Sequence, residues 1–234
     1  MPYPPLVSET SSEAAAETSA SGKDKAKAKK SSWLRELVIM VVVALVVAFT
    51  VRTFVASSFW IPSGSMENTL LIGDHVIVYK LGYDFHDPHR GDVIVFKAPA
   101  QWAAENGDGG DWIKRVIAVG GDKVAYSPKT KKISVNGKAL NETSYIYRDP
   151  TTGQQDPPSE NRKWQTTVPK GRLWVMGDHR SNSSDSREHF LASHNATYST
   201  IPVSAVVGRA FAIYWPLNRL DWFSDPSTFD NVPN

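Results

Sequence analysis

Three side chains in this sequence have the types and surroundings that acyl transfer requires. Ser63 and Ser65 flank a glycine in FWIPSGSMENTLLIGD, residues 59–74, and Lys114 lies inside the apolar run DWIKRVIAVGGDKV. A serine oxygen attacking a carbonyl needs a base to take its proton and a donor to hold the oxyanion, and a Ser-x-Ser pair offers one hydroxyl for attack and one for donation. Gly64 allows a tight bend and Pro62 pushes Ile61 toward an extended backbone, so the stretch reads as a strand breaking into a turn that exposes a hydroxyl beside backbone N–H groups. By itself this is also how an ordinary serine-rich turn reads.

The lysine separates these readings. At strand period two, Trp112, Lys114, Val116 and Ala118 share one face and Ile113, Arg115, Ile117 and Val119 the other, so one cation points into each side of an apolar strand. Arg115 stays protonated and can only pair or donate. Burial lowers a lysine pKa from about 10.4 toward 7–8, where the free amine works as a general base. A stem that packs while its head reaches water suits Lys80 and Lys97, at strand ends, better than mid-strand Lys114. Of the histidines, His75, His86, His89, His189 and His194 read as solvated. His179, in VMGDHRSNSSDSREHF, is the competing base.

Other chemistries recede. The chain has no cysteine, which removes thiolate nucleophiles, thiolate zinc sites and disulfides, and it lacks G-x-S-x-G, H-E-x-x-H, phosphate-loop and dinucleotide signatures. A net charge of +2 over 234 residues gives no reason to expect a nucleic-acid partner. No metal or cofactor is expected.

The elements that must position these residues fall into five segments. Residues 1–31 are poor in large apolar side chains and read as a disordered tail ending in a lysine-rich collar. Residues 32–56 follow as an anchor, whose apolar stretch from Leu37 to Ala56 is long enough to span a bilayer, with Arg52 snorkelling at its far end. The collar places the N-terminus in the cytoplasm and the rest outside, as a single-pass protein of the cell membrane. The small residues Ala56, Ser57 and Ser58 leave a cleavable leader as the rival reading.

From residue 75 onward HVIVYK, DVIVFK, WIKRVIAV, KKISV, RLWVMG and VVGRAFAIYW alternate with turns, among them the hairpin signal Asn136-Gly137. This predicts a mainly β, antiparallel fold. The Pro-rich stretch 141–166 reads as an excursion from the core and APAQWAAENGDGGD as an exposed loop. Tyr214, Trp215, Trp222 and Phe223 read equally as core or as membrane-interface aromatics.

The apolar span, IPSGSMENTL, IKRVIAVGGDKV and MGDHRSNSSDSR, in this order and covering nearly all of the chain after the tail, resemble the boxes of type I signal peptidases, the membrane-anchored bacterial Ser-Lys proteases. The resemblance implies Ser65 as nucleophile, Lys114 as base, Ser63 with the Ser65 N–H as oxyanion hole and Ser183 as the group orienting the lysine. It further implies Asp185 and Arg187 as a supporting ion pair engaging Arg115. Pockets for small side chains would involve Phe59, Ile61, Pro62, Met66, Leu70, Val76, Trp112 and Ile113. The implied fold is an antiparallel catalytic core from 57–125 and 168–234 with a smaller cap, 126–167, inserted between.

The implied reaction is removal of signal peptides from exported preproteins after small-x-small sites, through an acyl-enzyme, by a monomer at the lipid bilayer. Asn68, where proline is usual, and His179 and Ser181, where Asn and Asp are frequent, depart from the family pattern. Self-cleaving Ser-Lys proteins and an anchored, non-enzymatic binding domain are the alternatives.

Overall fold

The computed structural model describes residues 21–50, 55–81, 83, 86–106 and 110–233. The chain divides into two units, 1–51 and 52–234. In the first, helix α1 runs Ser21–Thr50, so its backbone takes in the last part of the expected tail. Its segment Trp33–Thr50 has a mean hydropathy of 2.2 and is long and apolar enough to cross a membrane. The tail residues 1–20 and Arg52 lie outside the described residues. The span expected to continue to residue 56 has ended by then, because Ala56 opens the first strand.

The second unit is mainly β. Strands β1 (Ala56–Trp60), β2 (His75–Tyr79), β3 (Val93–Lys97), β4 (Asp111–Val119), β9 (Arg172–Met176), β10 (Ile201–Pro202), β11 (Val206–Trp215) and β12 (Asp221–Trp222) form one sheet. Its order is β1-β2-β11-β3-β4-β9-β10, with β12 on β11, and every pairing is antiparallel. Strands β5 (Lys123–Ser127), β6 (Lys132–Val135), β7 (Lys138–Ala139) and β8 (Trp164–Thr167) make a second antiparallel sheet, ordered β7-β6-β5-β8. β6 and β7 are joined through Asn136 and Gly137, whose φ of 50° and 82° is the geometry that this dipeptide favours.

The central strand β4 is paired along both edges, with β3 and β9, and Lys114, Arg115, Val116, Ile117 and Ala118 are all buried, so both of its faces are covered as well. The stretch expected as an exposed loop instead contains helix α2 (Ala100–Asn106). Its Trp102 is fully buried and donates to Tyr198 O at 2.9 Å. The late aromatics divide. Phe223 packs against a core cluster, while Trp215 and Trp222 are 51% and 69% exposed. Trp60 and Trp215 both pair in register with His75, so these exposed indoles gather at one end of the sheet.

Candidate active site

The serines sit on a loop closed at its base and anchored from below. Ile61 N–H donates to Asp74 O and Gly73 N–H to Ile61 O, each at 2.9 Å, while Arg219 grips the Asp74 carboxylate at 2.8 and 2.9 Å. Ile61, Met66, Leu70 and Val76 are buried with Ile113 in one apolar cluster, on which Phe59 packs. Burial of side chains this size contributes about 1.5–3 kcal/mol each, which holds the turn against β4. Of the residues expected to form pockets, Pro62, Trp112 and Ile113 line the cleft, while Phe59, Ile61, Met66, Leu70 and Val76 do not line it and pack with Ile113 in the apolar cluster.

Above this cluster Gly64–Met66 forms a single 3-10 turn with Ser63 at its N-cap. Ser65 is buried and its Oγ lies 2.7 Å from Lys114 Nζ, which also donates to Ile113 O at 3.1 Å. Trp112 presents its ring 5.6 Å from the same nitrogen. Burial pushes the Lys114 ammonium from 10.5 down to about 8, against the opposing pull of Asp185 and Asp178. A serine hydroxyl thus touches an amine that releases its proton near neutrality, the arrangement that nucleophilic catalysis requires.

Ser63, Ser65, Lys114 and Ser183 line a cleft of about 750 Å³. Ser183 Oγ is buried in its wall and has no hydrogen-bond partner among the described residues. A Cβ placed on Gly177 would stand 2.3 Å from Ser183 Oγ and 2.5 Å from Ser65 O, so a bare glycine is what lets the two serine segments pass so closely. The cleft also takes in Ser181, noted above only as a departure from the family pattern, and Asp111, Asn182, Ser184, Glu188, His189 and Ala192, which sequence reasoning did not assign to a site. Among them His189, expected to be solvated, is buried and stacks on Trp102 with centroids 4.2 Å apart.

The charged support differs from expectation at Arg115. Its partner is Asp178, at 2.9 and 2.6 Å, with further bonds to Gly91 O and Thr69 Oγ1 and the Tyr145 ring 4.5 Å away. Asp185 is occupied elsewhere. It caps helix α3 (Ser186–Ser193), accepting from the N–H groups of Arg187 and Glu188, and accepts from Gly177 N–H, with Arg187 Nε 3.5 Å away. His179 does not approach the dyad as a base, since its Nδ1 is directed at Glu67 Oε2, 2.9 Å away, and at Gly64 O. Asn68 occupies the third position of a turn closed by Thr69 N–H to Met66 O, with φ 86°, a conformation open to Asn and closed to Pro.

Comparison with known proteins gives a consistent result. A family model described as "Signal peptidase, peptidase S26" matches residues 34–215. The chain is 38% identical over 231 residues to "Signal peptidase I" of Mycobacterium tuberculosis (strain CDC 1551 / Oshkosh), covering 84% of this chain and 77% of that one. It is 36% identical over 210 residues to "Probable signal peptidase I-2" of Synechocystis sp. (strain ATCC 27184 / PCC 6803 / Kazusa), covering 90% and 86%. A crystal structure of a signal peptidase I from Enterococcus faecalis V583 is similar at TM-score 0.37 and 23% identity over 52% of this chain and 95% of that one, too slight a likeness to bear on function.

Proposed function

Since the chain belongs to the signal peptidase family, peptidase S26, and is thereby a serine endopeptidase, we propose that it removes signal peptides from exported preproteins with a Ser65–Lys114 dyad. The observation that carries this reading is the 2.7 Å contact between Ser65 Oγ and a buried lysine nitrogen at the floor of an open cleft.

In the proposed cycle the free amine of Lys114 takes the Ser65 proton as Oγ attacks the scissile carbonyl. Ser63 Oγ and the Ser65 N–H hold the oxyanion. The lysine then gives its proton to the leaving amine, and the freed Lys114 amine takes a proton from a water that attacks the acyl-enzyme, breaking the ester bond and returning the proton to Ser65 Oγ. Ser183 holds Lys114 in place during these transfers. Its hydroxyl, buried in the same wall and without a hydrogen-bond partner among the described residues, is left available to accept from the lysine when the cycle needs it.

Specificity for small side chains follows from the wall. Pro62, Trp112 and Ile113 face the substrate, and Ile61, Met66 and Leu70 are packed behind them, so a large side chain beside Ser65 would have to displace core. Residues 126–167 act as a cap on the catalytic core. α1 spans the cell membrane with its lysine-rich end in the cytoplasm, and the exposed Trp60, Trp215, Leu217 and Trp222 rest at the bilayer surface, where amphipathic indoles are favoured. The enzyme works as a monomer.

The test is incubation of the full chain in detergent micelles with a preprotein carrying an Ala-x-Ala site, followed by sequencing of the new N-terminus. Cleavage after the second alanine, blocked when either alanine becomes phenylalanine, is expected. Cleavage of itself alone, or of nothing, overturns the reading.

A further inference from the structure

His179 stands outside the dyad yet holds the nucleophile turn at three points. Its backbone N–H donates to Ser65 O at 3.1 Å, and Nδ1 lies 3.2 Å from Gly64 O and 2.9 Å from Glu67 Oε2. Both neighbours of Nδ1 only accept, so Nδ1 carries a proton. Glu67 reaches it by folding back over Gly64. A Cβ there would stand 2.9 Å from Glu67 Cδ, so the carboxylate occupies the space that a side chain would fill.

The ring is backed from the other side. Tyr147 stacks on it with centroids 3.8 Å apart and planes 17° from parallel, and Nε2 faces Asp156 Oδ2 at 3.9 Å. Asp156 accepts from Ser181 N and Oγ, both at 2.9 Å. Tyr147 and Asp156 belong to the connection between β7 and β8, which is tied to the site by Tyr147 N–H to Asp178 O at 2.9 Å and Asn68 Nδ2 to Tyr145 O at 3.2 Å. Neighbouring charges are matched elsewhere, Asp178 with Arg115 and Arg180 with Glu142.

We propose that Glu67, His179 and Tyr147 form a clasp that positions Ser65 for attack, a role that rests on Ser65 being the nucleophile. None of the three lines the cleft, so the clasp acts on the turn and leaves the substrate-contacting wall alone. The Gly64 and Ser65 carbonyls flank the Ser65 side chain along the backbone. When His179 loses its grip the turn can rotate, and Oγ moves relative to Lys114 Nζ. A displacement of about 1 Å at a reacting atom costs up to about 10²-fold in rate.

The experiment measures kcat and KM separately for the full chain in micelles on the Ala-x-Ala preprotein, with Glu67→Ala, Glu67→Gln, His179→Ala and the Glu67→Ala/His179→Ala double variant. Glu67→Ala and His179→Ala should lower kcat about 10- to 100-fold with little change in KM. Glu67→Gln should restore most of it, because an amide oxygen still accepts from Nδ1. The double variant should be little worse than either single one, since both remove the same contact.

Parent-like kcat in Glu67→Ala, or losses that multiply in full in the double variant, overturns the clasp. So does a rise in KM at constant kcat. If His179→Ala fails to fold, the two Glu67 variants decide alone, because the Glu67 side chain is 26% exposed and outside the core. A parent that cuts no preprotein brings down the assignment of function itself, a different result from a working parent with indifferent variants.

Discussion

Lys114 and Arg115 are adjacent in β4 and both are buried, yet Arg115 meets the carboxylate of Asp178 while Lys114 meets the hydroxyl of Ser65. Alternation along the strand separates them onto opposite faces, so one buried cation is neutralised and its neighbour is left to lose its proton. The ion pair on one face steadies the strand that presents Lys114 on the other.

Activity should therefore rise with pH through about 8, where burial places the Lys114 ammonium, and level above it. Stability should follow the same shift. Between about 8 and 10.5 the unfolded chain keeps a lysine proton that the folded chain has released, so the folded state gains stability as pH rises through that window, by about 3 kcal/mol in all. Below 8 both states carry the proton and the full cost of burial applies. Lys114→Met should thus melt a few degrees above the parent at pH 7, with the gap closing toward pH 10.5, as melting curves across that range will show.

Asp178→Asn leaves Arg115 buried without its counter-charge. Breaking a buried pair from one side costs about 3–5 kcal/mol, so the variant should unfold at distinctly lower denaturant than the parent. A loss of unfolding free energy under about 1 kcal/mol would mean that the Gly91 and Thr69 contacts suffice for Arg115.

Asn68→Pro should be harmful, although the family resemblance leads to the expectation of proline at this position. Its ring fixes φ near −65°, whereas this turn holds Asn68 at 86°. A loss of about 3 kcal/mol is expected from proline, and a loss of only about 1 kcal/mol from Asn68→Gly, which accepts positive φ but gives up the bond to Tyr145 O. Chemical denaturation of both variants compares them directly.

How much of this was legible in the sequence depended on how local the signal was. The β-branched runs that became β2, β3, β4, β6, β9 and β11 carry their own period, and Asn136-Gly137 carries its turn. The Ser63/Ser65 pair and Lys114 were legible because a bend between two serines and a cation in mid-strand are local anomalies, while the choice of Ser65 over Ser63 came only from the family resemblance.

Asp178 was not legible as the partner of Arg115, because 63 residues separate them and only the β4–β9 pairing brings their segments together. Strand β8 closes a polar excursion with no alternation strong enough to announce it, and the start of β1 is obscured because Ala56 reads as the end of the apolar span and Ala56-Ser57-Ser58 as a rival cleavage site, although the stretch from Phe59 does read as a strand entering a turn. Helix α2 was hidden by the glycines after it, although Trp102 in a supposed loop was the clue.

The most direct test of the dyad is cleavage of an Ala-x-Ala preprotein in detergent micelles by the parent, Ser65→Ala, Lys114→Met and Ser63→Ala, each checked for its fold by circular dichroism. No cleavage is expected from folded Ser65→Ala and Lys114→Met, and a loss of about 10²–10³-fold, still measurable, from Ser63→Ala as an oxyanion donor is removed. Cleavage by Lys114→Met at a rate near the parent's would contradict the dyad.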